Sequence, residues 1–274
     1  MQIPRIAIIG AGHMARGLVG GLIHSGAERA RLAVADPQAA ALEAVRTQFG
    51  VAAHARNADA VRHAEVVILA VKPQDMKAML LDLRAAIAGQ RPLIISVAAG
   101  IRIAALSGWL DGHARVVRCM PNGPALVGCG VTALYAPAEV GEADRMLAEQ
   151  LLGTVGTTVW LEQEAQLDAV TAVSGSGPAY FFLLTEALEA AARQCGLPAE
   201  IARTLSIETA HGAGRLLQRR EAAPAELRAQ VASKGGTTEA ALRELESADL
   251  RGIVSRAVAA AARRAREIAD QLDR

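Results

Sequence analysis

The sequence is poor in aromatic side chains, poor in lysine and nearly without net charge. Aromatics make up 3% of 274 residues, as two Trp, two Tyr and three Phe. Hydrophobic residues make up 52%, enough for a substantial core, which must therefore be built from Ala, Leu, Val and Ile. A formal charge of +1 argues against nucleic acid or a membrane surface as partner, because both leave a basic excess. Cys119, Cys129 and Cys195 are odd in number, scattered and without a C-x-x-C, which excludes a disulfide framework and fits reduced thiols in the cytoplasm. No apolar run approaches the ~20 residues that cross a bilayer. The first expected strand begins so close to Met1 that no signal peptide fits before it. A soluble, cytoplasmic protein is expected. No H-E-x-x-H, paired histidine or carboxylate cluster points to a metal, and no G-x-S-x-G elbow points to a hydrolase.

What is present begins with Ile6-Ala7-Ile8-Ile9, which reads as a buried parallel strand, followed by the turn Gly10-Ala11-Gly12-His13. From Met14 the apolar spacing becomes helical through Leu18 and Leu22. A strand, a glycine turn and a helix in that order predict a dinucleotide site. Gly10 allows the turn, Gly12 lets the backbone approach a pyrophosphate, and Ala15 keeps helix and strand close. The start of the helix offers unpaired N–H groups to the phosphates. A second strand over 31–36 ends in Asp36, placed to meet the adenosine ribose hydroxyls or to cap a helix entered through Pro37. Further strands are expected over 65–71, 92–97, 115–119, 131–136 and 157–161, with helices through Met76–Leu83 and 139–152. The alternation predicts a doubly wound, mostly parallel α/β domain over residues 1–163. Ligands of such sheets lie beyond the carboxyl ends of the strands. Those ends carry Gly10 to Ala15, Asp36, Ala70-Val71-Lys72-Pro73, Ala98-Ala99-Gly100 and Pro121-Asn122.

Residues 164–274 read as all-helical and alanine-rich. The helix from Pro178 is apolar on more than one face and is expected to be buried against a partner chain. Two glycine–hydroxyl loops precede helices there: Ser174-Gly175-Ser176-Gly177 and Ser233-Lys234-Gly235-Gly236-Thr237-Thr238. Either alone is a capping sequence; together they fit a small anion such as a carboxylate held at helix ends. Lysine occurs only at 72, 77 and 234, and the histidines at 24, 54, 63 and 113 are expected to be solvated. So little acid–base equipment suits a substrate that is already a good hydride acceptor, for example an imine that takes its proton from water. The enzyme's task is then placement, with the substrate carbon ~3–3.5 Å from the nicotinamide carbon.

Six segments, in order along the chain, resemble the pyrroline-5-carboxylate reductase family, whose members make proline. They are Ile9 to Ala15, Ala70-Val71-Lys72-Pro73-Gln74, Ser96 to Gly100, Arg118-Cys119-Met120-Pro121-Asn122, Ala172 to Tyr180 and Ser233 to Ala241. The resemblance implies an N-terminal Rossmann domain and a C-terminal helical domain that forms a homodimer, with rings of dimers in many members. It implies reduction of 1-pyrroline-5-carboxylate to L-proline with NADH or NADPH. In the family's pattern Gly10 to Ala15, Asp36, Asn57, Ala70 to Pro73 and Ala98 to Gly100 hold the cofactor. Asn122, in the matching strand-end segment, is counted with them. Ser174 to Gly177, Ser233, Gly235, Gly236 and Thr237 hold the substrate. Thr238 falls on the threonine that hydrogen-bonds the imine nitrogen, and Glu221 on a substrate-side acidic residue near the dimer interface.

Three positions depart from the pattern. His13 replaces Asn or Gln, Gly123 replaces Thr, and Lys234 replaces Pro, where it is expected to tighten binding of an anionic substrate. The coenzyme's 2′ position stays open. Asp36 disfavours a 2′-phosphate, whereas Arg31, Arg56 and Asn57 are candidates to accept one, and the family commonly uses NADPH. The enzymatic rivals are another cyclic-imine reductase or a β-hydroxyacid dehydrogenase. The latter places a lysine early in its second domain, and none occurs between Ala165 and Ala232. A nucleotide-sensing protein without turnover has no reason to carry the two glycine–hydroxyl loops.

Overall fold

The computed structural model describes residues 3–219 and 221–272. Its strands are β1 (Ile6–Ile9), β2 (Leu32–Ala35), β3 (Ala52–His54), β4 (Val66–Leu69), β5 (Leu93–Ser96), β6 (Val116–Met120), β7 (Gly130–Tyr135) and β8 (Gly156–Trp160). They form one sheet in the order β3-β2-β1-β4-β5-β6-β7-β8. The strands from β3 to β6 are parallel; β7 pairs antiparallel to β6, and β8 runs parallel to β7. In the centre Ile6 lies between Leu32 and Val66. Strands β1, β4 and β5 are buried along their whole length, so they read as unbroken apolar runs rather than alternating ones.

Helices cover both faces: α1 (His13–His24), α2 (Ala39–Phe49), α3 (Asn57–Val61), α4 (Pro73–Ile87), α5 (Ile103–Trp109) and α6 (Glu142–Gly153). One cluster joins Ile6, Ile8, Ile68 and Ile95 to Leu18 and Leu22 of α1 and Leu151 of α6. The other joins Ala7, Ile9, Val67 and Leu69 to Met76, Leu80 and Leu83 of α4 and Leu106 of α5. Alternate residues of each strand thus feed opposite cores, which is the doubly wound arrangement.

Several details differ from the sequence expectations. Strand β3 and helices α3 and α5 are additional, each too short for its periodicity to stand out. Helix α2 starts at Ala39 with Gln38 as its N-cap, so Pro37 lies before the helix and Asp36 is not its cap. His113 is buried rather than solvated; its Nε2–H donates to the Pro92 carbonyl at 2.8 Å.

The chain after the sheet forms α7 (Gln166–Val170), a single π turn (Thr171–Gly175), α8 (Gly177–Gln194), α9 (Ala199–Arg219), α10 (Pro224–Val231), α11 (Thr237–Ser247) and α12 (Leu250–Leu272). By compactness the chain divides into residues 1–175 with 261–274 and residues 176–260, a later division than the one expected at 163. Side-chain links account for the difference. Glu164 Oε1 accepts from Arg118 Nη1 at 2.9 Å and from the Ile103 N–H at 2.8 Å. Arg102 pairs with Asp270 at 2.6 Å, and Gly100 lies against Ile268 and Leu272. In the second unit only Gly177, Ala202 and Ser206 are buried among the described residues, and Phe181 and Phe182 of α8 are 65% and 70% exposed in the single chain.

Two stability predictions follow from this packing. Arg118 is 5% exposed, so Glu164→Ala strands a buried guanidinium and an N–H, and is expected to cost about 2–4 kcal/mol in urea unfolding. Glu164→Gln, which keeps an acceptor, is expected to cost less; equal midpoints for Glu164→Ala and wild type would reduce the pair to a surface contact. Burial, with Arg91 and Arg115 nearby, pushes the His113 pKa below its ordinary value of 6.5. The unfolded chain therefore binds the proton more readily. Stability present above about pH 6.5 is lost as pH falls toward the lower folded value, and His113→Gln is expected to flatten that fall in the urea midpoint.

Candidate active site

Strand β1 has β2 on one side and β4 on the other, so the chain direction switches there and a crevice opens beyond the strand ends. Gly10 makes the turn with φ +102°, and a Cβ at this position would lie 2.6 Å from the Ala70 carbonyl oxygen. Its N–H donates to the Ala35 carbonyl at 2.7 Å, and the Ala70 N–H donates to the Ile9 carbonyl at 2.8 Å. The turn is thereby pinned to both neighbouring strands. Gly12 is the N-cap of α1, with open space where a side chain would stand and no side chain capping the helix. The first N–H groups of α1 are thus available to an anion, and the residues fit a dinucleotide pyrophosphate. His13 is exposed at this rim, Met14 is half-buried, and Ala11 and Ala15 are buried against the sheet.

Asp36 stands beside the turn with both carboxylate oxygens engaged. Oδ2 accepts from the Ala11 N–H and Oδ1 from the Gln38 N–H, each at 2.8 Å. Arg31 is at the opposite end of β2, where it donates to the Ile3 carbonyl and pairs with Glu28, so it is no candidate for a 2′-phosphate. Arg56 caps α3 and Asn57 opens it; Lys72 caps α4 and Pro73 opens it. Ala70, Val71 and Ala99 are half-buried at the strand ends, and Ala98 is buried. Gly100, at φ +79°, owes its small size to packing: a Cβ there would lie 3.2 Å from Ile268 and 3.3 Å from Leu272.

Asn122 is buried, and its amide is spent within the chain. Oδ1 accepts from the Val131 N–H at 2.9 Å, and Nδ2 donates to the Ser174 carbonyl at 3.1 Å. Ser174 lies in the π turn, a geometry found disproportionately at functional sites, and its hydroxyl donates to the Val170 carbonyl at 3.1 Å. Gly175 is the next residue, and a Cβ on it would come 2.8 Å from the Met120 methyl. The sequence reading passed over Arg118, Met120 and Glu164 as site supports. An arginine inside the apolar run Val116–Met120 was the available signal, because a buried strand arginine requires a partner.

The remaining candidates belong to the second unit. Ser176 caps α8, and Gly177 begins it. Gly236 caps α11, its N–H donating to the Ser233 carbonyl at 3.0 Å, while the Gly235 N–H donates to Glu239 at 2.5 Å. Thr237 is exposed; Thr238, the second residue of α11, has a half-buried side chain without a hydrogen bond to the described residues. Lys234 is exposed and makes no ion pair among them. Glu221 accepts twice from Arg219, at 3.0 and 2.8 Å. No group of three His, Cys, Asp or Glu among the described residues is arranged to hold a metal.

A Rossmann sheet with an uncapped glycine turn at its switch point, followed by a helical unit, defines a dinucleotide-dependent oxidoreductase. Residues 5–100 match the family model described as NADP oxidoreductase coenzyme F420-dependent, and residues 164–268 match the one described as pyrroline-5-carboxylate reductase dimerisation. The pyrroline-5-carboxylate reductase of Pseudomonas aeruginosa is 47% identical over 272 residues, covering 99% of both chains. The structure of that enzyme from Coxiella burnetii aligns with a TM-score of 0.92 at 39% identity, covering 97% of this chain and 98% of that one. The Plasmodium falciparum enzyme, solved with NADP bound, aligns with a TM-score of 0.85 at 25% identity, covering 98% and 99%. The chain belongs to the pyrroline-5-carboxylate reductase family.

The glycine turn makes a direct prediction. Gly10→Ala places a Cβ against the Ala70 carbonyl at a φ that side chains rarely adopt, and is expected to cost about 1–3 kcal/mol of stability. Nicotinamide fluorescence titration is expected to show at least a tenfold loss of nucleotide affinity. A variant that binds nucleotide as wild type does would disconnect this turn from the cofactor.

Proposed function

We propose that the protein reduces 1-pyrroline-5-carboxylate to L-proline with NADH or NADPH. Full-length similarity to a reductase of that name, 47% identical over 99% of both chains, carries this reading. The open, uncapped start of α1 fits the dinucleotide the reaction needs. When bound, the reduced nicotinamide supplies a hydride to the imine carbon, while the ring nitrogen gains a proton from solvent. The chain's own residues position and exclude.

In this reading Gly10, Ala11, Gly12, His13, Met14 and Ala15 hold the pyrophosphate. Asp36 and Asn57 flank the adenosine, and Ala70 to Pro73 with Ala98 to Gly100 line the path to the nicotinamide. Asn122 contributes through its backbone, since its side-chain amide is engaged. Ser174, Gly175, Ser176 and Gly177, with Ser233, Gly235, Gly236 and Thr237, grip the substrate carboxylate through hydroxyls and helix-start N–H groups. Thr238 donates a hydrogen bond from its hydroxyl to the imine nitrogen, and Glu221 lies on the substrate side near the subunit interface.

The functional division into residues 1–163 and 164–274 is supported by the family match that begins at 164. The same match supports a homodimer through the C-terminal helices, and so does the exposed apolar face of Phe181, Phe182, Leu184 and Leu188. Assembly of those dimers into a ring belongs to the same reading. A cytoplasmic location belongs to the same reading; no helix among the described residues is long and apolar enough to cross a membrane.

Absorbance at the nicotinamide band, followed with synthetic pyrroline-5-carboxylate and each coenzyme, is the test. Protein that binds nucleotide yet never oxidises it with the imine would overturn the proposal. Thr238→Val is expected to lower kcat about 10- to 100-fold, the worth of one hydrogen bond at the reacting nitrogen, with nucleotide affinity unchanged and Thr238→Ser largely restoring the rate. Unaltered turnover in Thr238→Val would remove that residue from the reaction.

A further inference from the structure

We propose that the end of α12, through Ile268 and Leu272, positions the Ala98-Ala99-Gly100 loop for the nicotinamide half of the coenzyme. The inference rests on the reading above that this loop lines the path to the nicotinamide, and it adds the residues that hold the loop in place.

Two loops of the crevice are built differently. The Gly10 turn is tied by hydrogen bonds to both neighbouring strands. At the end of β5 the Val97 N–H donates to the Leu69 carbonyl at 3.1 Å, and from Ala98 to Ile101 no hydrogen bond reaches another element among the described residues. Yet Ala98, Gly100 and Ile101 are buried, and Ala99 is half-buried. Packing alone therefore sets where this loop stands, and its position depends on the side chains it packs against.

Helix α12 supplies those side chains. From Ala261 onward it belongs to the compact unit of the sheet. Ile268, Ala269 and Leu272 share one face of it, at i, i+1 and i+4. A Cβ on Gly100 would lie 3.2 Å from Ile268 Cγ2, 3.3 Å from Leu272 Cδ1 and 3.7 Å from the Ala269 nitrogen, so the helix lies directly against the loop backbone. Ala269 is buried, and Leu272 packs on the core cluster that contains Ala98 and Ile101. Just past the loop, Arg102 caps α5 and pairs with Asp270 at 2.6 Å. Both of those side chains are well exposed, so the pair aligns the helix more than it stabilises the contact. With Ile268 and Leu272 shortened, the loop has no hydrogen bond to another element that would keep its place. A small displacement there reaches the nicotinamide, whereas the adenosine and pyrophosphate are held at other strand ends.

Equilibrium binding without imine separates the two halves of the ligand. Calorimetry on the purified protein compares NADH with ADP-ribose and NADPH with 2′-phospho-ADP-ribose, each pair differing by the nicotinamide. Leu272→Ala is expected to weaken the preferred coenzyme about fivefold and to leave its nicotinamide-free counterpart within about twofold. Ile268→Ala with Leu272→Ala is expected to weaken it further, and Leu272→Met, which keeps the volume, to restore wild-type affinity. Leu152→Ala makes a cavity in the opposite core and is expected to lower the urea midpoint with both affinities unchanged, which separates positioning from general stability. If the double variant unfolds by circular dichroism, Leu272→Ala decides. Unchanged coenzyme affinity in Leu272→Ala, or an equal loss for both members of a pair, would overturn the proposal while leaving the reductase reading intact. Failure of both coenzymes to bind wild type would overturn both.

Discussion

The strand ends of this protein depend on one close approach, the α-carbon of Gly10 against the carbonyl of Ala70. Strands β1 and β4 are neighbours in the sheet, and their ends stay together because nothing stands between them. With the Gly10 N–H donating to Ala35 and the Ala70 N–H to Ile9, the turn cannot roll toward either side. The next N–H groups are then forced outward at the start of α1, where no side chain competes for them. Asp36 adds a third tether through Ala11. An anion-binding helix start is common in proteins; one held rigid by three tethers from the two neighbouring strands is prepared before a ligand arrives, so little ordering cost accompanies binding.

A second set of links holds the segment that leads into α8. One carboxylate, Glu164, accepts from Arg118 on β6 and from the first N–H of α5. The Asn122 amide joins the Ser174 carbonyl to the start of β7, and Met120 fills the space beside Gly175. A buried arginine in a strand is an expensive way to fill a core, since desolvation offsets much of what its ion pair contributes. An apolar residue would pack there but could not reach Glu164, and the segment entering α7 would lose its link to β6. Tying that segment to both β6 and α5 is what the charge in that interior accomplishes.

The sheet was readable from sequence where burial is complete. Ile6–Ile9, Val66–Leu69 and Leu93–Ser96 are apolar runs because helices cover both faces. Strand β3, Ala-Ala-His, was not, because three residues at a sheet edge are too few to show a period. The start of α2 was misread for a specific reason: Pro37 commonly opens helices, but here the Asp36 carboxylate binds the Gln38 N–H and keeps those residues in a loop. Asp36, the Gly10 turn and the glycine–hydroxyl loops were visible as motifs. Their supports were not, since Arg118–Glu164 and Asn122–Ser174 join residues 46 and 52 positions apart. Gly100 carries a packing role that its motif context did not show, since a Cβ there would meet Ile268 and Leu272.

The helical unit carries the sharpest physical consequence. A chain segment with three buried residues among those described has no core of its own, yet it bears the loops at Ser176 and at Ser233 to Thr238. Hydroxyls and backbone N–H groups act on a substrate only if they are held still, because each contributes through geometry rather than through full charge. The apolar side chains left exposed on α8 and α9, among them Phe181, Phe182, Leu184 and Leu205, would have to be covered for that rigidity to exist. The proposed dimer is then a condition of substrate binding as well as a packing arrangement. With three lysines in the whole sequence and almost no net charge to steer an anion from a distance, the proposed reading puts affinity for the substrate at these helix starts, and the second chain of the proposed dimer would hold them still by covering the exposed apolar side chains around them.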